Sequence, residues 1–229
     1  IIPFIITFII FILVAIQPDL GTALILLILG CLMIFLVGIR LIYPILISFI
    51  IIAMSPFLWT FLKPYQQSRV KTFLNPDLDP LGRGYHIIQS KIAIGSGGTR
   101  GNGFLGGSQS SLDFIPEKET DFVFSIFAEQ FGFIGSIILI SIFILLIIIP
   151  IIKSINIQNT FVKLAILGLS IKLLIEVVIN ISMTLGILPV VGVALPFMSY
   201  GGSSLLSNMI ICALIMNLMS VEKKFKYFR

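Results

Sequence analysis

Read as a string of apolar and polar positions, the chain divides into long apolar runs separated by short polar breaks. Six runs reach or approach the roughly 20 residues that a bilayer crossing needs, at about 1–16, 22–38, 41–62, 122–152, 160–182 and 203–221. Backbone N–H and C=O groups cannot stay unpaired in hydrocarbon, so each run is expected to be an α-helix. Pro18, Asp19 and Gly21 mark the first break, Gly38-Ile39-Arg40 the second, and Pro150 followed by Lys153 the end of the fourth run. The stretch 63–121 interrupts this pattern: it holds seven basic residues, six acidic ones and 9 of the 19 glycines. Loops longer than about 15 residues are usually functional or disordered. The apolar segments YHIIQSKIAI and GFLGG within it argue against a solvated tail, so it is expected to fold back onto the membrane face. The pattern predicts an all-α, polytopic transmembrane helical bundle, a single membrane domain over 1–229 with one long extracytoplasmic loop, 63–121.

Composition strengthens the membrane reading. The chain is 58% hydrophobic with 11% charged residues and a mean hydropathy of +1.14, whereas soluble domains carry about a quarter charged residues. Cys31 and Cys212 lie inside apolar runs and read as small buried hydrophobes. Basic residues set orientation. Arg40, Lys153, Lys163 and the tail residues Lys223, Lys224, Lys226 and Arg229 fall on one side, while QPDLG and 183–202 contain no Lys or Arg. The basic side is expected to be cytoplasmic, with the C-terminus there. Segment 63–121 then lies outside despite its seven cations, because the rule weakens for long loops. The chain opens on Ile1-Ile2, already inside an apolar run and with no charged leader. A piece of a longer protein is expected, lacking an even number of preceding spans.

The candidate chemistry gathers where the long loop meets the fourth run. In IPEKETDFVF, residues 115–124, four of the five residues 117–121 are charged. Asp121 stands at the first turn of the helix. One reading is an acid that satisfies orphan N–H groups and the helix dipole. The other is functional, because Asp121, Ser125, Ala128, Glu129, Gly132 and Ser136 form one small, polar stripe at helical spacing. Such a stripe lines either a close helix contact or a wet cavity. Lys172, Glu176 and Asn180 repeat the theme at i, i+4, i+8, either as a structural ion pair or as a border of the same cavity. The uncharged stretch ILPVVGVALPFMSYGGSS, 187–204, reads as non-helical and supplies the hydroxyls of Ser199, Tyr200, Ser203 and Ser204. Arg69, Lys71, Arg83, Lys91 and Arg100 suit phosphate groups. GSGGTRGNGFLGG lacks the ending of a P-loop, and His86, the only histidine, reads as structural. Asp113, Glu117, Glu119 and Asp121 are the carboxylates for a hard divalent cation such as Mg²⁺ or Mn²⁺ beside a pyrophosphate.

Several stretches together resemble the SEDS family (shape, elongation, division and sporulation proteins). They are QPDLGTALILL, DPLGRGYHIIQSKIAIGSGG, GNGFLGGSQSSLDFIPEKETDFVF and ILPVVGVALPFMSYGGSS, in this order. The wording is more similar to rod-shape members than to division members, and the match runs through essentially the whole chain. The resemblance implies about ten transmembrane helices, of which six are present here, in a bacterial cytoplasmic (inner) membrane. It implies a peptidoglycan glycosyltransferase that polymerises lipid II during rod-shape elongation, with a class B penicillin-binding protein and the elongation complex as partners. Nothing points to nucleic acid. The family's catalytic Asp falls on Asp121 and the Glu of the same motif on Glu117. Arg69, Lys91, Arg100, Glu129, Ser199, Tyr200 and Ser203 are the expected substrate-binding residues, and no metal ligand is assigned. Glu119 stands where the family often has His, and a neighbouring carboxylate favours a proton acceptor at Asp121. The rival readings are a lipid II flippase and a non-catalytic scaffold of the wall machinery.

Overall fold

The computed structural model describes residues 2–17, 19–38, 63–79, 82–104, 106–107 and 119–227, with scattered positions between 42 and 60. The expected span 41–62 therefore lies largely outside the described residues. Among those described, secondary structure is entirely helical: α1 (Ile2–Ile16), α2 (Leu20–Leu36), α3 (Pro64–Leu74), a 3-10 turn (Pro76–Leu78), α4 (Arg83–Ser96), α5 (Val123–Ile155), α6 (Thr160–Thr184) and α7 (Gly202–Tyr227). Among the described residues, three segments are long and apolar enough to cross a membrane: α5, α6 and residues Gly202–Ser220 of α7. α1 and α2 are equally apolar but shorter.

Local sequence explains the boundaries. Asp19 caps α2, its two carboxylate oxygens accepting from Thr22 N at 3.1 Å and Thr22 Oγ1 at 2.6 Å. Asn159 caps α6 in the same way, its Oδ1 accepting from Phe161 N and Val162 N. α3 opens on Pro64, whose missing N–H costs nothing at a first helical position. α6 ends at a left-handed Gly186 (φ 68°), with Ile187 N and Leu188 N both donating to Ser182 O. Pro150 does not end α5 as expected. It is buried within the helix, which continues to Ile155 with Lys153 in its last turn. Carbonyls of that turn attract the cation, and the following Asn156 closes the helix.

α5 and α6 form an antiparallel pair, with α7 packed against both. Phe124, Phe143, Ile147, Ile166, Leu173, Val177, Leu195, Ile211 and Ile215 make their shared core. α1 packs on α2, where Gly30 leaves space for Thr7. The outward face stays apolar: Phe133 is 64% exposed and Ile152 57%. Nonpolar surface of this extent marks an integral membrane protein.

The expected loop 63–121 contains α3, the 3-10 turn and α4. α4 lies against the 121 end of the bundle, where Ser90 Oγ donates to Thr184 O at 2.7 Å. Ala93 packs with Phe122 and the partly buried Ile126 and Val190.

α5 is not continuous. Gly132 has φ 67° and ψ −164°, a conformation open essentially to glycine alone. The glycine-rich loop 97–103 occupies the break. Phe133 N donates to Gly98 O at 2.9 Å and Ile134 N to Thr99 O at 3.2 Å. In return, Asn102 N and Gly103 N donate to Glu129 O and Gln130 O at 3.0 and 3.1 Å. The hydrogen bonds lost along the helix are thus replaced by bonds to a neighbouring strand of loop. Irregular backbone in such a protein persists only when buried this way or lining a cavity.

Candidate active site

Asp121 sits on the turn that leads into α5, partly buried, with Phe122 behind it fully buried. Three successive carbonyls of this turn are held by three donors from the other side of the site. Tyr200 N donates to Glu119 O at 2.7 Å. Ser199 Oγ donates to Thr120 O at 2.6 Å. Asn180 Nδ2 donates to Asp121 O at 3.0 Å and also to Val193 O at 2.7 Å. Asn180 is fully buried, so these bonds form away from water. The carboxylate itself is bordered by Gly192: a Cβ there would stand 3.4 Å from Asp121 Oδ2. Gly192 is exposed and has φ 80°, so both its conformation and its missing side chain keep the carboxylate's flank clear.

The segment 187–201 is non-helical, as expected. Its turn is closed by Leu195 N donating to Ser199 Oγ at 2.8 Å and Ser199 N to Leu195 O at 3.0 Å. Within it Phe197 adopts φ 62°, a left-handed conformation worth on the order of 1–3 kcal/mol of strain for a bulky residue. The Ser199 hydroxyl is therefore committed to backbone groups on both sides. Tyr200 is 78% exposed and Ser203, in the first turn of α7, is also exposed.

The remaining predicted residues divide into three groups. Lys91 is exposed on α4, and its side chain runs along Gly186, putting an ammonium at the C-terminal end of α6. Arg100 is exposed on the loop that fills the α5 break. Arg69 is partly buried on α3, with no hydrogen-bond partner for Nε among the described residues. Glu129 is fully buried, and its carboxyl lies against the backbone of Gly107, where any Cβ would collide with it. Glu117 and Asp113 lie outside the described residues. No group of three His, Cys, Asp or Glu side chains gathers among the described residues.

The polar stripe of α5 is buried at Ser125, Ala128, Glu129, Gly132 and Ser136. Its middle makes a close contact with the loop. A Cβ at Gly97 would run into Ala128 O, and one at Gly101 into Gln130 O. Ser125 and Ser136 hydroxyls return to their own helix, at Phe122 O and Gly132 O.

Lys172, Glu176 and Asn180 do not act together. Lys172 Nζ donates to Glu176 Oε2 and to Asn208 Oδ1, both at 2.8 Å, tying α6 to α7. Asn180, one turn on, belongs to the Asp121 turn instead. Of the two sequence readings, the ion pair holds for Lys172 and Glu176 and the link to Asp121 for Asn180, while Gly192 and the break at Gly132 were missed.

A profile of the family described as "Cell cycle protein", which takes in FtsW, RodA and SpoVE, matches residues 1–224. The chain is 47% identical over 214 residues to peptidoglycan glycosyltransferase MrdB of Escherichia coli (strain K12), covering 92% of this chain and 57% of that protein. It is 45% identical over 157 residues to peptidoglycan glycosyltransferase RodA of Treponema pallidum, covering 69% of this chain and 36% of that one. Among solved structures, a chain from "Structural coordination of polymerization and crosslinking by a peptidoglycan synthase complex" superposes with a TM-score of 0.77 at 35% identity. That superposition covers 96% of this chain and 60% of the other. A rod shape determining protein RodA of Thermus thermophilus shares the fold at TM-score 0.62 and 24% identity, over 97% of this chain and 56% of that one. The chain thus spans little more than half the length of the Escherichia coli relative. With a profile match across nearly every residue and specific relatives on both sequence and structure, the chain belongs to the FtsW/RodA/SpoVE family of cell cycle proteins, on its RodA side.

Proposed function

We propose that the full-length protein polymerises lipid II into β-1,4-linked glycan strands for cell-wall elongation, with Asp121 as its general base. The carrying observation is Asp121 itself: a carboxylate at the head of a broken apolar helix, beside an exposed glycine, on a turn held by three donors. The 4-hydroxyl of an acceptor GlcNAc attacks the anomeric carbon of a donor MurNAc. A C–O bond forms there, the bond to undecaprenyl pyrophosphate breaks, and the hydroxyl proton passes to Asp121. One inverting displacement converts the α-linked donor into a β linkage. A base within hydrogen-bond reach contributes on the order of 10²- to 10⁴-fold to such a step.

The leaving pyrophosphate carries negative charge, and the exposed cations Lys91 and Arg100 are the residues proposed to hold it, with Arg69 beyond them. Tyr200 and Ser203 supply exposed hydroxyls for the sugars, while Ser199 and Glu129 act through the backbone they support. Glu117, the family's motif acid, is proposed to assist on the same loop. The basic residues orient the protein with its C-terminus in the cytoplasm and the 121 end outside, in a bundle of six spans belonging to a larger one. A class B penicillin-binding protein that cross-links the product is the proposed partner. It draws support from the solved relative, described as a complex that coordinates polymerization and crosslinking.

The flippase reading rests on Lys172, Glu176 and Asn180, polar groups within the apolar α6. The bonds of Lys172 to Glu176 and to Asn208 give that pair a structural task. The deciding experiment is polymerisation of purified lipid II by the full-length Asp121→Asn protein with its transpeptidase. No glycan should form, although the protein inserts and folds; wild-type polymer yield would refute the assignment, and lost lipid II translocation with intact polymerisation would favour the flippase.

A further inference from the structure

We propose that Asn180 is a positioning residue for the reaction: its amide fixes the Asp121 turn against the 187–201 segment and so sets where the carboxylate points. The inference rests on the reading of Asp121 as general base. Four observations carry it. Asn180 is fully buried. One Nδ2 group donates to carbonyls of two separate segments, Asp121 O at 3.0 Å and Val193 O at 2.7 Å. Those segments are the ones that carry the carboxylate and its bordering glycine, Gly192. Finally, Asn180 occupies the last two turns of α6, a helix anchored in the core by Leu173 and Val177, so the clamp refers the turn to a rigid element.

The geometry explains why an amide is suited to this position. Its Nδ2 donates to both carbonyls, while its Oδ1 is buried with no hydrogen-bond partner among the described residues. A carboxylate of the same shape would repel both oxygens, and an alkyl side chain would remove this donor from both. The neighbouring contacts from Tyr200 N and Ser199 Oγ hold Glu119 O and Thr120 O. The Asn180 contact falls on the carbonyl of Asp121 itself. Without it the bonds from Tyr200 N and Ser199 Oγ remain, so the loop stays in place while the carboxylate loses its register. Misplacing a reacting group by about 1 Å can cost on the order of 100-fold in rate.

The test compares Asn180→Ala with wild type in the full-length protein copurified with its transpeptidase, using lipid II polymerisation and thermal unfolding. Ser90→Ala is the control: it removes an equally buried 2.7 Å bond at the same end of α6, one made to Thr184 O and so to neither segment. Asn180→Ala should lower kcat about 10- to 100-fold with KM for lipid II unchanged within about threefold. Ser90→Ala should keep kcat within about twofold at a comparable loss of melting temperature. In an Asp121→Asn background, Asn180→Ala should leave lipid II affinity unchanged. Should Asn180→Ala fail to fold, Asn180→Ser, which returns a single hydroxyl donor, is read by the same criteria. Wild-type kcat in the folded variant, a loss confined to KM, or equal kcat losses in both variants would overturn the proposal. The two readings fail separately. Glycan from Asp121→Asn removes the base, whereas inactive Asp121→Asn with fully active Asn180→Ala removes only the clamp.

Discussion

The Asp121 turn and the Lys172–Glu176 pair are two ways of keeping an ionisable group inside an apolar bundle. Lys172 is held by its charge: the ammonium donates to Glu176 and Asn208, so the side chain that could do chemistry is occupied by structure. Asp121 is held by its backbone. The donor from Asn180 falls on its carbonyl oxygen, and its neighbours Thr120 and Glu119 are held likewise. A group fastened by its main chain has its backbone position set from the other side of the site. In the proposed reading, that difference, more than depth in the membrane, separates the position assigned to chemistry from the structural one.

The largest expected effect breaks the comparison outright. Asp121→Asn should reduce polymerisation on the order of 10²- to 10⁴-fold or more while leaving the melting temperature near wild type. Lys172→Met should do the reverse. It leaves Glu176 and Asn208 without their partner and should destabilise the protein by about 1–3 kcal/mol, with kcat per folded molecule within about twofold. If Lys172→Met stops turnover in a well-folded protein, the contrast between the two regions is lost. Between these two lies Asn180→Ala, whose kcat loss with little change in KM would show the backbone fastening at work.

Gly132→Ala sharpens the comparison from another side. The substitution forces a side chain into φ 67°, and its Cβ would approach Arg100 and Gly101 backbone atoms of the inserted loop, including Arg100 C at 2.7 Å. Strain alone should cost about 1–3 kcal/mol. Thermal unfolding should reveal that loss, and proteolysis should open the 97–103 loop before the α5–α6 pair. A variant as stable as wild type would mean that α5 tolerates an unbroken path through residue 132.

Much of the fold was legible because apolar run length is a coarse, additive signal. Runs 1–16, 22–38, 160–182 and 203–221 correspond to helices displaced by two residues or fewer at most ends, apart from the last, which continues to Tyr227. Individual residues were less predictable. Pro150 reads as a stop, yet it costs only one hydrogen bond where the preceding turn can absorb it. Gly132 stands among Phe and Ile and leaves no trace in the hydrophobic period, because the break is created by the loop that inserts there. Helix α3 was not anticipated, and α4 was visible only as an apolar stretch within a segment expected to be loop. For the site, the Asp121 motif was readable, since its residues are contiguous. Its support was not. Spacing gives the face on which Asn180 lies, but which of two polar clusters it joins depends on the path of residues 187–201.

The exchanged hydrogen bonds at Gly132 have a mechanical consequence. Residues 133–155 form a rod about 35 Å long, and such rods lean to match the thickness of the surrounding bilayer. Ten degrees of added lean would swing the end of an unbroken rod by about 6 Å. Here the Asp121 tip is moored to loop 97–103 and to residues 180–200, so leaning below the joint need not carry it along. Turnover in vesicles whose hydrocarbon layers differ by a few Å should accordingly change by less than about twofold, which would let one catalyst work in membranes of varied lipid makeup.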